Sequence, residues 1–233
     1  MNRIIGVNYL SCITDQREVV RPYLYSKMPS FQTNGILTYA RIYKNAHQSL
    51  KTFFHALNFN TEYIHPKQIK SNEKIIVVLR DPLERWISGL TQYFIERVPN
   101  LAMQFGNDEN LNITQDIIKL CIDNSVMDLH TETQVSFLHG IKFDQCVFFK
   151  LDENIEINLC NFLQGALRQN IDIKLPSINQ SKNNNKKIEI QQSINKFLSN
   201  NKNEKNNLLK ALDRDYKLLE DVEKTKGFFS GTN

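Results

Sequence analysis

The chain has 233 residues, of which 41% are hydrophobic, 23% charged and 10% aromatic, the balance of a globular protein rather than a disordered one. Its 29 Lys and Arg stand against 25 Asp and Glu, a net charge of +4. That suits an anionic ligand but falls short of the basic excess expected of a nucleic-acid binder, and no nucleic acid partner is expected.

The length fits one core of roughly 100–200 residues plus appendages. A single domain over 1–233 is expected, with 1–34 as an N-terminal extension and 182–233 as a helical C-terminal part. No apolar run approaches the roughly 18–20 residues that span a bilayer, so no integral membrane segment is expected. The opening MNRIIGVNYLSCITDQREVV lacks a continuous apolar stretch and a small-residue cleavage site, so a signal peptide is not expected and the location inferred is cytoplasmic. Cys12, Cys121, Cys146 and Cys160 are widely spaced, without a CxxC pair. Zinc and dithiol chemistry lack their spacing, and reduced, buried thiols are expected. The 27 asparagines, as in SKNNNKKIEI, are explained by AT-rich coding and need no function.

In chain order, Pro22 and Pro29 break any long element in the first thirty residues. GILTYARIYK (35–44) reads as a buried strand and runs into NAHQSLKTFFHAL, where Leu50, Phe53, Phe54 and Leu57 share one helix face. TEYIH (61–65) is a short strand candidate, and KIIVVL (74–79) a strand covered on both faces. RDPLERWISGLTQYFIE then starts a helix: Asp81 as N-cap, Pro82 at the first helical position and Glu84 three after the cap. Leu83, Trp86, Ile87, Leu90, Tyr93 and Phe94 form its apolar stripe, which makes Trp86 a core residue. Helices are expected over 113–122, 131–138, 154–167, 188–198 and 204–223, a strand over 146–151 and a polar linker over 183–186. Alternating strands and helices predict an α/β fold with a mostly parallel central sheet flanked by helices.

Ligands in such sheets bind beyond the carboxyl ends of the strands. Two strand-to-helix junctions carry polar residues at that edge. YKNAHQS (43–49) offers a helix N-terminus, the Lys44 charge and the Ser49 hydroxyl, the elements of a phosphate site, although Lys44 alone also reads as a solvated strand end. It is not a Walker A loop, since GxxxxGK[ST] is missing. In LRDPLERWISG, Arg80 closes the strand and Ser88 lies about two turns into the helix. A guanidinium grips phosphate bidentately, yet Arg80–Asp81 alone also reads as a structural ion pair.

Taken together, the junctions resemble the sulfotransferase family, in its carbohydrate (heparan- and chondroitin-type) branch. IYKNAHQSL is similar to the family's 5′-phosphosulfate loop VPKTGGTSL, and LRDPLERWISG to its 3′-phosphate motif LRDPxERxxSxY, with Arg80, Asp81, Pro82, Glu84, Arg85 and Ser88 in place. HTETQVSFLHG, with Gln134 at its centre, LPSINQS and DRDYKLLEDV resemble further family segments, so the likeness spans about residues 36–222. The resemblance implies a P-loop-like three-layer fold and the donor 3′-phosphoadenosine 5′-phosphosulfate (PAPS), with PAP as product and no metal. It implies that Lys44 contacts the sulfuryl and bridging oxygens, that Asn45, Ala46, His47, Gln48 and Ser49 hold the 5′-phosphate, and that Arg80 and Ser88 hold the 3′-phosphate. The acceptor implied is a hydroxyl of a carbohydrate-like molecule, and His65, at the end of EYIH, matches the placement of the family's general base. His130, His55 and His47 are the alternatives for that role, and His139 reads as a packing or surface residue. No segment specifies the acceptor or an oligomeric state.

Departures are visible: Tyr43 stands where the family has Pro, and Ala46 and His47 where it has loop glycines. If those positions require a positive φ, strain is expected at His47; if they are already helical, neither residue is penalised. Two other readings stay open, a non-catalytic binding protein on the same fold and a P-loop-type nucleotide kinase. The missing Walker A pattern counts against the kinase.

Overall fold

The computed structural model describes residues 31–62, 69–105, 115–124, 129–138, 140–176 and 185–231. These form an α/β fold around a five-stranded sheet: β1 (Phe31–Thr33), β2 (Leu37–Ala40), β3 (Asn60–Glu62), β4 (Lys74–Leu79) and β5 (Cys146–Lys150), in the order β3-β1-β2-β4-β5. β2 pairs with β4 and β4 with β5 in parallel, while β1 is antiparallel to both β2 and β3. Only β1 therefore runs against the others, and the sheet is mostly parallel in direction. The helices are α1 (His47–Ala56), α2 (Pro82–Phe105), α3 (Gln115–Asn124), α4 (Gln134–Phe137), α5 (Ile155–Leu167), α6 (Asn185–Asn200), α7 (Lys202–Ala211) and α8 (Asp213–Thr225).

The chain divides into two compact units. Of the described residues, the sheet unit comprises 31–62, 69–81, 134–138, 140–176 and 215–231, and it holds the five strands with α1, α4, α5 and most of α8. Its core is built by alternation. Leu37 and Tyr39 of β2, Ile76 and Val78 of β4 and Phe149 of β5 pack against Leu50, Phe53 and Phe54 of α1 and Ile155, Leu159 and Leu163 of α5. The Tyr39 and Phe54 rings stack at 4.5 Å. Each fully buried side chain of this kind contributes about 1.5–3 kcal/mol. At the outer edge of β5 the Phe229 N–H donates to the Phe148 carbonyl (2.8 Å), and the Lys226 ammonium donates to the carbonyls of Phe143, Asp144 and Cys146. The tail thus covers the start of an otherwise open edge.

Of the described residues, the helical unit comprises 82–105, 115–124, 129–133 and 185–214. Here α2 packs on α6, α3 on α6 and α7, and α6 on α7. Trp86 and Leu90 of α2, Ile118 and Ile122 of α3, Ile194 and Phe197 of α6 and Leu208 of α7 are buried. The reading of Trp86 as core holds.

Several expected bounds shift. The strand read over 35–44 is limited to Leu37–Ala40, because the residues after Ala40 turn toward α1. β3 covers Asn60–Glu62, and the rest of the strand expected over 61–65 lies outside the described residues, as do both the N-terminal prolines. The helix expected over 131–138 shrinks to four residues, since the segment before it is held on α2. Asn185 and Lys186 are helical rather than linker. The pattern over 204–223 breaks into two helices at Leu212, with no Gly or Pro to announce it.

Candidate functional site

β2 and β4 are parallel neighbours, so the segments leaving Ala40 and Leu79 emerge at the same edge of the sheet. After β2 the chain takes six residues to reach α1, and two of them are unusual. Lys44 (φ 68°) and Ala46 (φ 54°) stand in the left-handed region, although neither is glycine. Such a residue costs roughly 1–2 kcal/mol. His47 is the first residue of α1 and is ordinary helix. Of the two conformations considered for positions 46 and 47, His47 takes the helical one without penalty, while Ala46, with Lys44, takes the left-handed one. α1 has no side-chain cap at Ala46 and no acidic residue of its own in its first turn, so it does not itself neutralise the positive end of its dipole.

Asn45, between the two strained residues, is fully buried. Its Nδ2 donates to the Val78 carbonyl (2.8 Å) and to Gln134 Oε1 (2.7 Å). Its Oδ1 is buried with no hydrogen-bond partner among the described residues, a second cost at the same turn of about 1–3 kcal/mol. The Tyr43 ring stacks on His47 (4.4 Å between centroids) and on Phe137 of α4 (5.9 Å). An aromatic clamp thus stands where the resembling motif has a proline.

Arg80 leaves β4 half-buried, and its Nη1 donates to the Lys44 carbonyl at 3.4 Å. Its backbone is gripped on both sides by one side chain. The Arg80 N–H donates to Gln134 Oε1 (3.0 Å), and Gln134 Nε2 donates to the Arg80 carbonyl (2.9 Å). Gln134 opens the short α4, whose first two N–H groups, of Gln134 and Val135, donate to the Asp215 carboxylate at 2.8 and 3.0 Å. Gln134 and Asp215 are both fully buried.

The structure thus brings together Lys44, Asn45, Ala46, His47, Gln48, Ser49 and Arg80 in the sheet unit. Within that group Ser49 is buried, Gln48 exposed, and Lys44, Ala46 and His47 half-buried. Ser88 is half-buried on α2 of the helical unit. In that unit the Arg85 guanidinium donates to the Glu132 carbonyl, and Gly89 lies against the His130 carbonyl. His55 is exposed on α1 two turns beyond His47, roughly 12 Å along the axis, so it is not part of the turn. His65 and His139 lie outside the described residues. Reading the sequence flagged the Gln134 and 213–222 segments only as likenesses. The bonding of Gln134 to Asp215, 81 positions apart, carries no spacing signal.

Burial pushes the Cys121 and Cys146 thiols up to about 12, and raises Cys160 more mildly. Burial likewise raises the Tyr39 phenol, whose hydroxyl is buried without a partner among the described residues. The raised values keep these groups in their neutral, protonated form near neutral pH. Among the described residues no group of three or more His, Cys, Asp or Glu side chains is arranged to hold a metal ion, and no helix is long and apolar enough to cross a membrane. Comparison of the chain with protein-family models, with curated proteins and with solved structures finds no match.

Proposed function

We propose that the chain is a sulfotransferase, moving a sulfuryl group from PAPS to a hydroxyl of a carbohydrate-like acceptor on a P-loop-like frame. The observation that carries this reading is the strained turn between β2 and α1. A left-handed residue followed by a helical one makes successive N–H groups converge on an anion, and Ala46 followed by His47 has that conformation. Strain of this kind persists where the backbone is shaped for a ligand. A phosphate bound there would meet the helix dipole, the Ala46 to Ser49 N–H groups and the Lys44 ammonium, the Asn45 N–H being given to the Ile42 carbonyl at 3.3 Å.

The second support is Arg80, at the same sheet edge and hydrogen-bonded to the Lys44 carbonyl. A guanidinium at that point recognises a further phosphate bidentately. By the likeness of LRDPLERWISG, that phosphate is the 3′-phosphate, the group that separates this donor from ATP.

In the reaction proposed, the acceptor oxygen bonds to sulfur while the bond from sulfur to the 5′-phosphate oxygen breaks. Lys44 balances the charge that grows on the leaving phosphate. The acceptor proton passes to a histidine, His65 by the motif and His47, in the turn itself, as the alternative. Positioning and charge stabilisation dominate such transfers, as in phosphoryl transfer.

Calorimetric titration with adenosine 3′,5′-bisphosphate, with ADP and ATP as controls, tests the reading. Micromolar binding of the bisphosphate, about −8 kcal/mol, and at least tenfold weaker ADP and ATP are expected. Preference for ATP would favour the kinase. Tight bisphosphate binding without sulfuryl transfer to any sugar hydroxyl would make the chain a binding protein.

A further inference from the structure

We infer that Gln134, held by Asp215, is a positioning residue that locks the strained Lys44–Ala46 turn to the end of β4. The lock itself is independent of any ligand, while its value for binding rests on the PAPS reading above. A buried residue needed only for packing would be apolar, whereas the Gln134 amide uses both of its ends. Its oxygen accepts from Asn45 Nδ2 (2.7 Å) and from the Arg80 N–H (3.0 Å), and its nitrogen donates to the Arg80 carbonyl (2.9 Å).

Each bond falls at a place that matters for geometry. Asn45 lies between the two left-handed residues, and its second bond goes to Val78, two positions before Arg80. The turn is therefore tied to β4 at two points through one side chain. Arg80 is gripped by its backbone, which fixes where its guanidinium departs without using the guanidinium. The four-residue α4 is too short to hold Gln134 by helix formation alone. Asp215 supplies what it lacks, one carboxylate taking the first two N–H groups of that helix.

The amide cannot be exchanged for a carboxylate. Glutamate would keep the two accepted bonds, lose the bond to the Arg80 carbonyl and set a negative charge beside the proposed anion site. Asparagine at 215 would keep one acceptor and turn an amide N–H toward the second helix donor.

The test has two arms on the full chain with Gln134→Leu, Gln134→Glu and Asp215→Asn. The first is hydrogen–deuterium exchange without ligand. At least tenfold faster exchange is expected in peptides covering 43–50 and 79–81, with the β5 peptide 146–150 unchanged. Unchanged exchange in 43–50, or an equal rise in every peptide, would overturn the positioning role. The second arm is titration of the same variants with adenosine 3′,5′-bisphosphate, where Gln134→Glu is expected to bind at least tenfold more weakly. Variants that bind as tightly as the parent chain would also overturn it. If the parent chain binds no bisphosphate, the sulfotransferase reading falls and the exchange arm still decides the lock.

Discussion

The two strand-to-helix junctions treat the backbone in opposite ways. Between β4 and α2 the chain needs only Arg80 and Asp81, and the helix starts at Pro82 where Asp, Pro and Glu all favour a start. Between β2 and α1 it spends six residues, holds Lys44 and Ala46 left-handed without glycine, and starts a helix that no side chain caps. Local chemistry accounts for the first junction. The second carries bonds from residues far along the chain, Val78 and Gln134, both to the Asn45 side chain.

Glycine sharpens the contrast. The strained turn has none, whereas α2 carries Gly89 in ordinary helix. There the reason is proximity, since a Cβ at position 89 would lie 2.0 Å from the His130 carbonyl oxygen. Backbone cannot rotate aside as a side chain can, so Gly89→Ala is expected to cost about 3 kcal/mol or more. Urea unfolding would measure it, and an unchanged midpoint would dissolve the contrast.

Arg80→Ala comes next in size. It removes a charged donor, worth about 1.5–3 kcal/mol, and should erase most of the preference for adenosine 3′,5′-bisphosphate over ADP. Arg80→Lys keeps the charge but not the fork, and should recover only part of it. A variant that still prefers the 3′-phosphorylated nucleotide as strongly as the parent chain would remove Arg80 from the site.

Ala46→Gly has a smaller effect of opposite sign. Glycine accepts a φ of 54° without a Cβ penalty, so a gain of about 1 kcal/mol is expected, read as a raised urea midpoint at constant slope. A loss of stability would mean that the left-handed residue is unstrained and that the turn needs no external hold.

The same division explains what could be read from residues alone. KIIVVL is apolar in all but its first residue, the exposed Lys74, and was legible to its ends as β4, and the face of Leu50, Phe53 and Phe54 on α1 followed from its spacing. β1 was invisible, because three residues, FQT, are too few to show alternation. The break at Leu212 left no trace, since the apolar period runs on across it. At the candidate site, residue types at 44–49 and 80 were legible as anion chemistry. Which of them carry the strain was not, because no residue type there announces a positive φ and the bonds that surround the turn come from Val78 and Gln134, far along the chain.

The smallest effect separates the two units directly. Cys121 lies on α3 in the helical unit and Cys146 on β5 in the sheet unit, and burial pushes both thiols from 9.0 up to about 12. Below pH 9 each is neutral whether the chain is folded or not, so neither makes stability depend on pH. Above pH 9 the unfolded thiol ionises first, and stability falls as pH rises toward the folded value. At pH 8, therefore, iodoacetamide should reach these two sulfurs only through opening, while the partly buried Cys160 reacts first. Gly89→Ala should speed labelling of Cys121 more than that of Cys146. Ala46→Gly should slow Cys146 by about fivefold, the rate equivalent of about 1 kcal/mol, and leave Cys121 alone. Equal changes at both sulfurs would mean that strain at either junction is felt through the whole chain, and the contrast between the junctions would then be one of sequence rather than of energy.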